Sequence, residues 1–237
     1  IDFDKEWSTL MATPQEELPD KAYLEDFYVK TAEFPAGFMT EYTESMITTS
    51  SKHQDLADGF PIGRRFKSAR VQRSCDANFI HLGHEARADG RWRMYVFADR
   101  AAPNAGEGDA GTGRSKVEAL ASWLESDPAS PLVAYRREGE DLDALIELSV
   151  VYQQEHKEFS FPDVPTVFRP HVGAFGLEYV EKIYAALPDE DIFAARGISR
   201  DGAVVVVRPD QYVSGIFPLE AHAEIGEFFA GVFEPVK

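Results

Sequence analysis

The sequence predicts an α/β fold: a sandwich with a central mixed sheet and flanking helices, preceded by a short helical segment. Three observations carry that expectation. Residues 1–59 read as helical and polar-rich, whereas residues 60–237 are dominated by strand signals. Four consecutive valines, Val204 to Val207, fit a strand covered on both faces, because β-branched side chains suit a pleat and no polar side chain is left to face water. A hairpin followed by a helix closes the chain, an order shared with the second half of thioredoxin-like folds. With 237 residues, 44% of them apolar, the chain can bury a substantial core. The first 59 residues alone make none.

Each element has a local reason. A helix is expected at about 1–12, where Ile1, Trp7, Leu10 and Met11 fall near one face. It reads as the latter part of an amphipathic helix and does not open on methionine, so a preceding segment is expected. The acidic turn TPQEELPD leads into KAYLEDFYVKTAEF, apolar at helical spacing. From GFPIGRRF onward come the strand-like FKSARVQR, NFIHLGHEA and alternating RMYVFAD, with Asp89-Gly90 as a hairpin turn between the last two. In SKVEALASWLES the residues Val117, Leu120, Ala121 and Leu124 share a helical face, and Ser115 with Glu118 has capping-box spacing. LDALIELSVVYQQ reads as a short helix running into a strand, and KIYAAL and DIFAARGI as short apolar segments. GAVVVVRPDQYVSGIFP is the clearest hairpin, because Pro209 presets φ for a type I turn at Arg208-Pro209-Asp210-Gln211. LEAHAEIGEFFAGVF places Ile225, Phe228, Phe229 and Val232 on one helical face.

Composition narrows the function. A net charge of −17 repels polyanions, so neither nucleic acid nor an anionic membrane surface is an expected partner. No run of about 18 apolar residues could span a bilayer, and no basic, apolar leader directs secretion, so a cytoplasmic protein is expected. The single cysteine rules out an internal disulfide and any Cys-x-x-Cys redox or zinc pair.

GEGDAG, residues 106–111, fits the G-x-G-x-x-G dinucleotide fingerprint letter for letter, yet its context does not. The next helix begins at Ser115, beyond the last glycine, and Glu107 and Asp109 would repel phosphate. It is read as a solvated loop, and no cofactor-binding residue is assigned. His81 and His84, three apart in a strand-like run, are expected on opposite faces and so unable to share a metal. Cys75 precedes Asp76, whose charge disfavours the thiolate, so an inert thiol is expected. No G-x-S-x-G nucleophile elbow is present. The acidic stretches DEDIF and EGEDLD read as solvated loops. The basic cluster Arg64, Arg65, Lys67, Arg70 and Arg73 is expected to pair with the chain's own acids. No catalytic, cofactor-binding or metal-ligating residue is assigned.

Taken together, IDFDKEW, GRRFKSARVQR, ADGRWRMYVFAD, RGISRDGAVVVVRPDQYVSG and AEIGEFFAGVFEP resemble the C-terminal third of the FAD-dependent phenol 2-monooxygenases and 3-hydroxybenzoate 4-hydroxylases. RPDQYV after four valines is the most specific part of the resemblance. It implies that residues 60–237 form a thioredoxin-like dimerisation domain without redox cysteines, and that residues 1–59 end the FAD/substrate domain. It implies FAD and NADPH in the full-length enzyme, which would insert one oxygen atom from O2 into a phenolic ring. The flavin-binding and ring-activating residues of that family match segments before Ile1, so none is carried over. The implied partners are the N-terminal domains of the same protein and a second subunit. The alternatives are a free-standing thioredoxin-like interaction module and a peroxidase-like protein using Cys75.

Overall fold

The computed structural model describes residues 5, 8–10, 12–14, 20–34, 36–103 and 115–234. Contacts divide the chain into two compact units, Ile1–Glu41 and Tyr42–Lys237. In the smaller unit Lys5 and residues 8–10 are helical, as the periodicity at 1–12 predicts, while Ile1, Trp7 and Met11 lie outside the described residues. Helix α1 (Lys21–Ala32) starts at Asp20, whose carboxylate accepts from the Tyr23 amide at 2.8 Å. That bond satisfies a donor that the first helical turn leaves without an intrahelical partner.

The larger unit is built on a seven-stranded mixed sheet. Its strands are β1 (Arg70–Arg73), β2 (Phe79–His81), β3 (Trp92–Phe97), β4 (Ile146–Tyr152), β7 (Ile183–Ala185), β8 (Ala203–Val207) and β9 (Val213–Phe217). Their order is β2-β1-β7-β4-β3-β8-β9. β7, β4 and β3 run parallel, and an antiparallel hairpin flanks them on either side, β1–β2 next to β7 and β8–β9 next to β3. A separate two-stranded ribbon pairs β5 (His171–Val172) with β6 (Leu177–Glu178). Helices α2 (Lys116–Ser126) and α3 (Pro131–Ala134) lie in the connection between the parallel β3 and β4, and α5 (His222–Val232) follows the β8–β9 hairpin. A β-α-β unit followed by a hairpin and a terminal helix is the connectivity of the thioredoxin-like sandwich, as expected.

Alternation along the strands gives the sheet two cores. Trp92, Met94 and Val96 face Leu120, Leu124, Ile225 and Phe229 of the two helices. Tyr95 and Phe97 point the other way, into Phe60, Phe66, Phe193 and Val205. There the rings stack, Phe60 on Phe66 at 4.6 Å and Phe66 on Tyr95 at 4.7 Å. Val204–Val207 are buried, as four consecutive valines predict.

Residues 42–59, read from sequence within the helical segment, belong to the larger unit. Two stretches bond along the outer edge of β9: Thr49 donates to the Ser214 carbonyl at 2.7 Å, and Gly63 to the Val213 carbonyl at 2.8 Å. Ala57 bridges Ile198, and Phe60 is fully buried. This strap closes an edge that would otherwise present unpaired amides.

Other local expectations are corrected. Asp89-Gly90 does not join paired strands, because β2 and β3 are separated in the sheet by β1, β7 and β4. Gly90 takes the positive φ of 82° that favours glycine, but Asp89 spends its carboxylate on the Arg91 amide and on Arg93. The true hairpin is β1–β2. Leu142–Leu145 is a turn and not a helix, since the chain enters β4 at Ile146. DIFAARGI contains a short helix, α4 (Ile192–Ala195), capped by Asp191.

Candidate interaction surface

The GEGDAG loop lies outside the described residues, but the helix that follows it does not. At the start of α2 the Ser115 hydroxyl accepts from the Val117 amide at 3.2 Å, and Asp99, leaving β3, accepts from Ser115 Oγ at 3.0 Å and the Lys116 amide at 2.8 Å. A pyrophosphate needs those amides free. The Lys116 amide is occupied by the chain's own carboxylate and the Val117 amide by the Ser115 hydroxyl.

The titratable candidates divide similarly. His81 ends β2, and His84 sits in a single 3-10 turn, so strand alternation does not separate them: their rings lie 5.1 Å apart and exposed. That corrects the expectation of opposite faces. Among the described residues no group of three or more His, Cys, Asp or Glu side chains is placed to hold a metal. Cys75 is half-buried in the β1–β2 turn, and its thiol is pushed up by burial and then by Asp76, which works against a thiolate. Arg73 grips Asp76 at 2.6 Å and Glu85 at 3.1 Å, while Arg70 pairs with Glu190 at 2.8 Å. The hydrogen bond from Arg73 holds the Asp76 carboxyl well below the usual range. Those two members of the basic cluster thus pair within the chain, as expected.

The acidic loops are not idle surface. Asp191 caps α4 and pairs with Arg200, Asp141 accepts the Gly173 amide at 3.0 Å, and Asp143 pairs with Arg91 at 2.6 Å. Sequence reading also missed a buried ionic cluster where the parallel strands begin. Glu147, almost fully buried, faces Arg91 at 2.7 Å, Arg93 at 2.8 Å and Lys182 at 3.5 Å. Single-residue alternation gives no warning of it, because charged residues in a strand normally point to water.

Exposed large apolar side chains fall in three stretches of the described chain. Seven of the ten large ones described lie between Tyr23 and Met46: Tyr23, Tyr28, Val29, Phe34, Met39, Tyr42 and Met46. Of the other three, Phe175 and Leu177 belong to the β5–β6 ribbon, which sequence reading did not find although Gly173 and Gly176 bracket its turn. Phe79 lies on the edge strand β2, under the Arg70 guanidinium at 5.5 Å. No helix of the described residues is long and apolar enough to cross a membrane.

A sandwich of thioredoxin-like connectivity, with one cysteine and with the start of α2 held by a carboxylate, defines a module of the α/β class. The profile of the phenol hydroxylase C-terminal dimerisation domain matches residues 40–237, and the chain belongs to that family. It is 39% identical over 239 residues to a 3-hydroxybenzoate 4-monooxygenase of Comamonas testosteroni, covering 97% of this chain and 36% of the relative. It is 30% identical to an FAD-dependent monooxygenase of Aspergillus terreus, covering 97% of this chain and 38% of that one. A phenol 2-monooxygenase of Aspergillus fumigatus is 25% identical, with 98% and 37% covered. The chain therefore spans little more than a third of the length of these relatives. Among known structures, a thiol peroxidase from Chromobacterium violaceum overlaps 72% of this chain and 87% of its own at 11% identity and a TM-score of 0.38. A thioredoxin lipoprotein of Streptococcus pneumoniae overlaps 68% and 98% at 12% identity and a TM-score of 0.32. Likenesses this loose add nothing to the topology itself. At the start of α2 the Lys116 amide that could meet a pyrophosphate is already held by Asp99.

Proposed function

We propose that this chain is the C-terminal, non-catalytic portion of a FAD-dependent, NADPH-using aromatic hydroxylase acting on a phenolic ring in the cytoplasm. In this reading the sandwich holds two subunits together, and the helical residues at the start complete the catalytic part of the same polypeptide. The carrying observation is the match of the dimerisation-domain family to residues 40–237 in a chain that spans 36–38% of its monooxygenase relatives. The exposed apolar side chains of the smaller unit, Tyr23, Tyr28, Val29, Phe34 and Met39, support it, being suited to cover by further protein. Oxygen activation belongs to the flavin held by the catalytic part. No step of that chemistry is assigned to residues of this chain.

The test compares two proteins. When the 237-residue chain is mixed with FAD and gel-filtered, the flavin absorbance should elute free; the longer natural polypeptide should retain flavin and oxidise NADPH faster when a phenol is added. Stoichiometric flavin on the short chain, or no flavin on the long one, would overturn the reading.

A further inference from the structure

The seven-stranded sheet has two edges, and one of them is left open. β9 is covered by the strap, whereas β2, at the other end, has β1 as its only strand neighbour among the described residues. The register shows which of its backbone groups are spent. Arg73 donates to the Asn78 carbonyl at 2.9 Å, and Leu82 to the Ala69 carbonyl at 3.0 Å. Val71 lies opposite Ile80 midway between these bonded pairs. Alternation in an antiparallel ladder therefore turns the Ile80 backbone toward β1 and points the amide and carbonyl of Phe79 and the amide of His81 away from the sheet. Such a row is a template for a further strand.

The side chains along this edge also suit cover by protein. Ala77 to His84, ANFIHLGH, carries no Asp, Glu, Lys or Arg in a chain where 27% of residues are charged. Phe79 is 59% exposed, and Ile80 on the other face of the strand packs against the core of Val71 and Leu82. The carboxylates around the hairpin are matched within the chain: Arg73 takes Asp76 and Glu85, and Arg70 takes Glu190. Glu181 precedes β7, on the far side of β1 from this edge. The β5–β6 ribbon exposes Phe175 and Leu177, but the cleft beside it is lined by Glu125, Glu140, Asp141 and Glu178, which repel a second acidic body.

We infer that β2 is the strand through which two copies of this chain associate, the two edges pairing antiparallel about a two-fold axis with Phe79 and Ile80 nearest to it. This rests on the dimerisation reading proposed above and names the surface that performs it. Three observations select a second copy as the occupant. The chain belongs to a family of dimerisation domains. An antiparallel edge is self-complementary, offering the same donors and acceptors to its own copy, as a two-fold contact requires. Two bodies of charge −17 also approach at least cost where carboxylates are missing or already paired, and this edge is such a place. A strand this short covers less than the roughly 800 Å2 per partner of a stable interface, so it is the central contact and not the whole of it.

The experiment is sedimentation velocity of the 237-residue chain as wild type, Phe79→Pro, Phe79→Asp and Phe175→Asp, with circular dichroism to verify folding. Proline at 79 removes the outward amide and leaves the bonds to β1 in place. Aspartate there sets like charges against each other across the axis. The expected result is a wild-type dimer, weakened at least about 30-fold by either change at Phe79 and unchanged by Phe175→Asp. A dimer that survives both changes at Phe79, or that Phe175→Asp dissolves equally, overturns the β2 edge and leaves dimerisation standing. A wild-type chain monomeric at every concentration removes the dimerisation reading and the edge with it. Should the spectrum of Phe79→Pro change, Phe79→Asp decides, since the ring it replaces lies at the surface and outside both cores.

Discussion

At the scale of single residues, the informative positions are those where a side chain is excluded. Gly63 and Gly90 both have positive φ, 83° and 82°. They differ in surroundings: a Cβ on Gly90 would meet nothing within 4 Å, whereas one on Gly63 would lie 2.1 Å from the Tyr42 carbonyl oxygen. Gly90→Ala therefore carries only the conformational cost of an L residue in the left-handed region, about 1–2 kcal/mol. Gly63→Ala must also displace the strap, and it should cost several kcal/mol more by urea denaturation; equal costs would show that the strap yields freely. Sequence reading caught the turn role of Gly90 but gave Gly63 none, because the neighbour that matters is 21 positions away in the chain (63 − 42 = 21). The upward push on the Cys75 thiol was legible in part, since one of its causes, Asp76, is its immediate neighbour; the largest cause, burial, is not written locally.

Elements show the same division between local and distant causes. The α2 and α5 faces and the β8–β9 hairpin were legible because each is set by spacing or by a proline within a dozen residues. Strand neighbours were not. Asp89-Gly90 has the letters of a hairpin, but the partner of β2 is β1, a choice made by the whole sheet. The ionic cluster also lies between elements, joining β3, β4 and the start of β7 through Glu147. Removing that one carboxylate leaves the buried Lys182 without an ion-pair partner among the described residues and Arg93 with Asp89 alone. Glu147→Ala should then lose about 3–5 kcal/mol, read from the shift of the denaturation midpoint. A loss below 1 kcal/mol would mean that water reaches the two cations. Burial opposes the charge on nearby Asp89, but hydrogen bonds from Arg93 and from the Arg91 amide and side chain outweigh it and hold the carboxyl well below its usual range.

For the whole molecule, charge governs association. A chain of −17 that dimerises does so against its own field, and salt shortens the reach of that field from about 30 Å at 0.01 M to about 8 Å at 0.15 M. The dimer should therefore tighten as salt rises over that interval, a trend opposite to that of charge-paired interfaces. Sedimentation at the two salt concentrations measures it, and a dimer loosened by salt would place ion pairs at the contact. The fold class was legible from the run of four valines and the closing hairpin, whereas the packing role came only from the resemblance carried by segments such as RPDQYV. The β5–β6 ribbon was not legible, because a bare GAFG between two short strands has no periodicity to betray it.

The strap along β9 has a practical corollary for anyone transplanting this module onto a relative. Splicing at residue 60, where composition changes, would strip the stretch around Thr49 from Ser214 and leave the last strand open to neighbouring molecules. A graft begun ahead of Tyr42 carries its own hem, and the recombinant protein is expected to stay dispersed where the shorter one clumps.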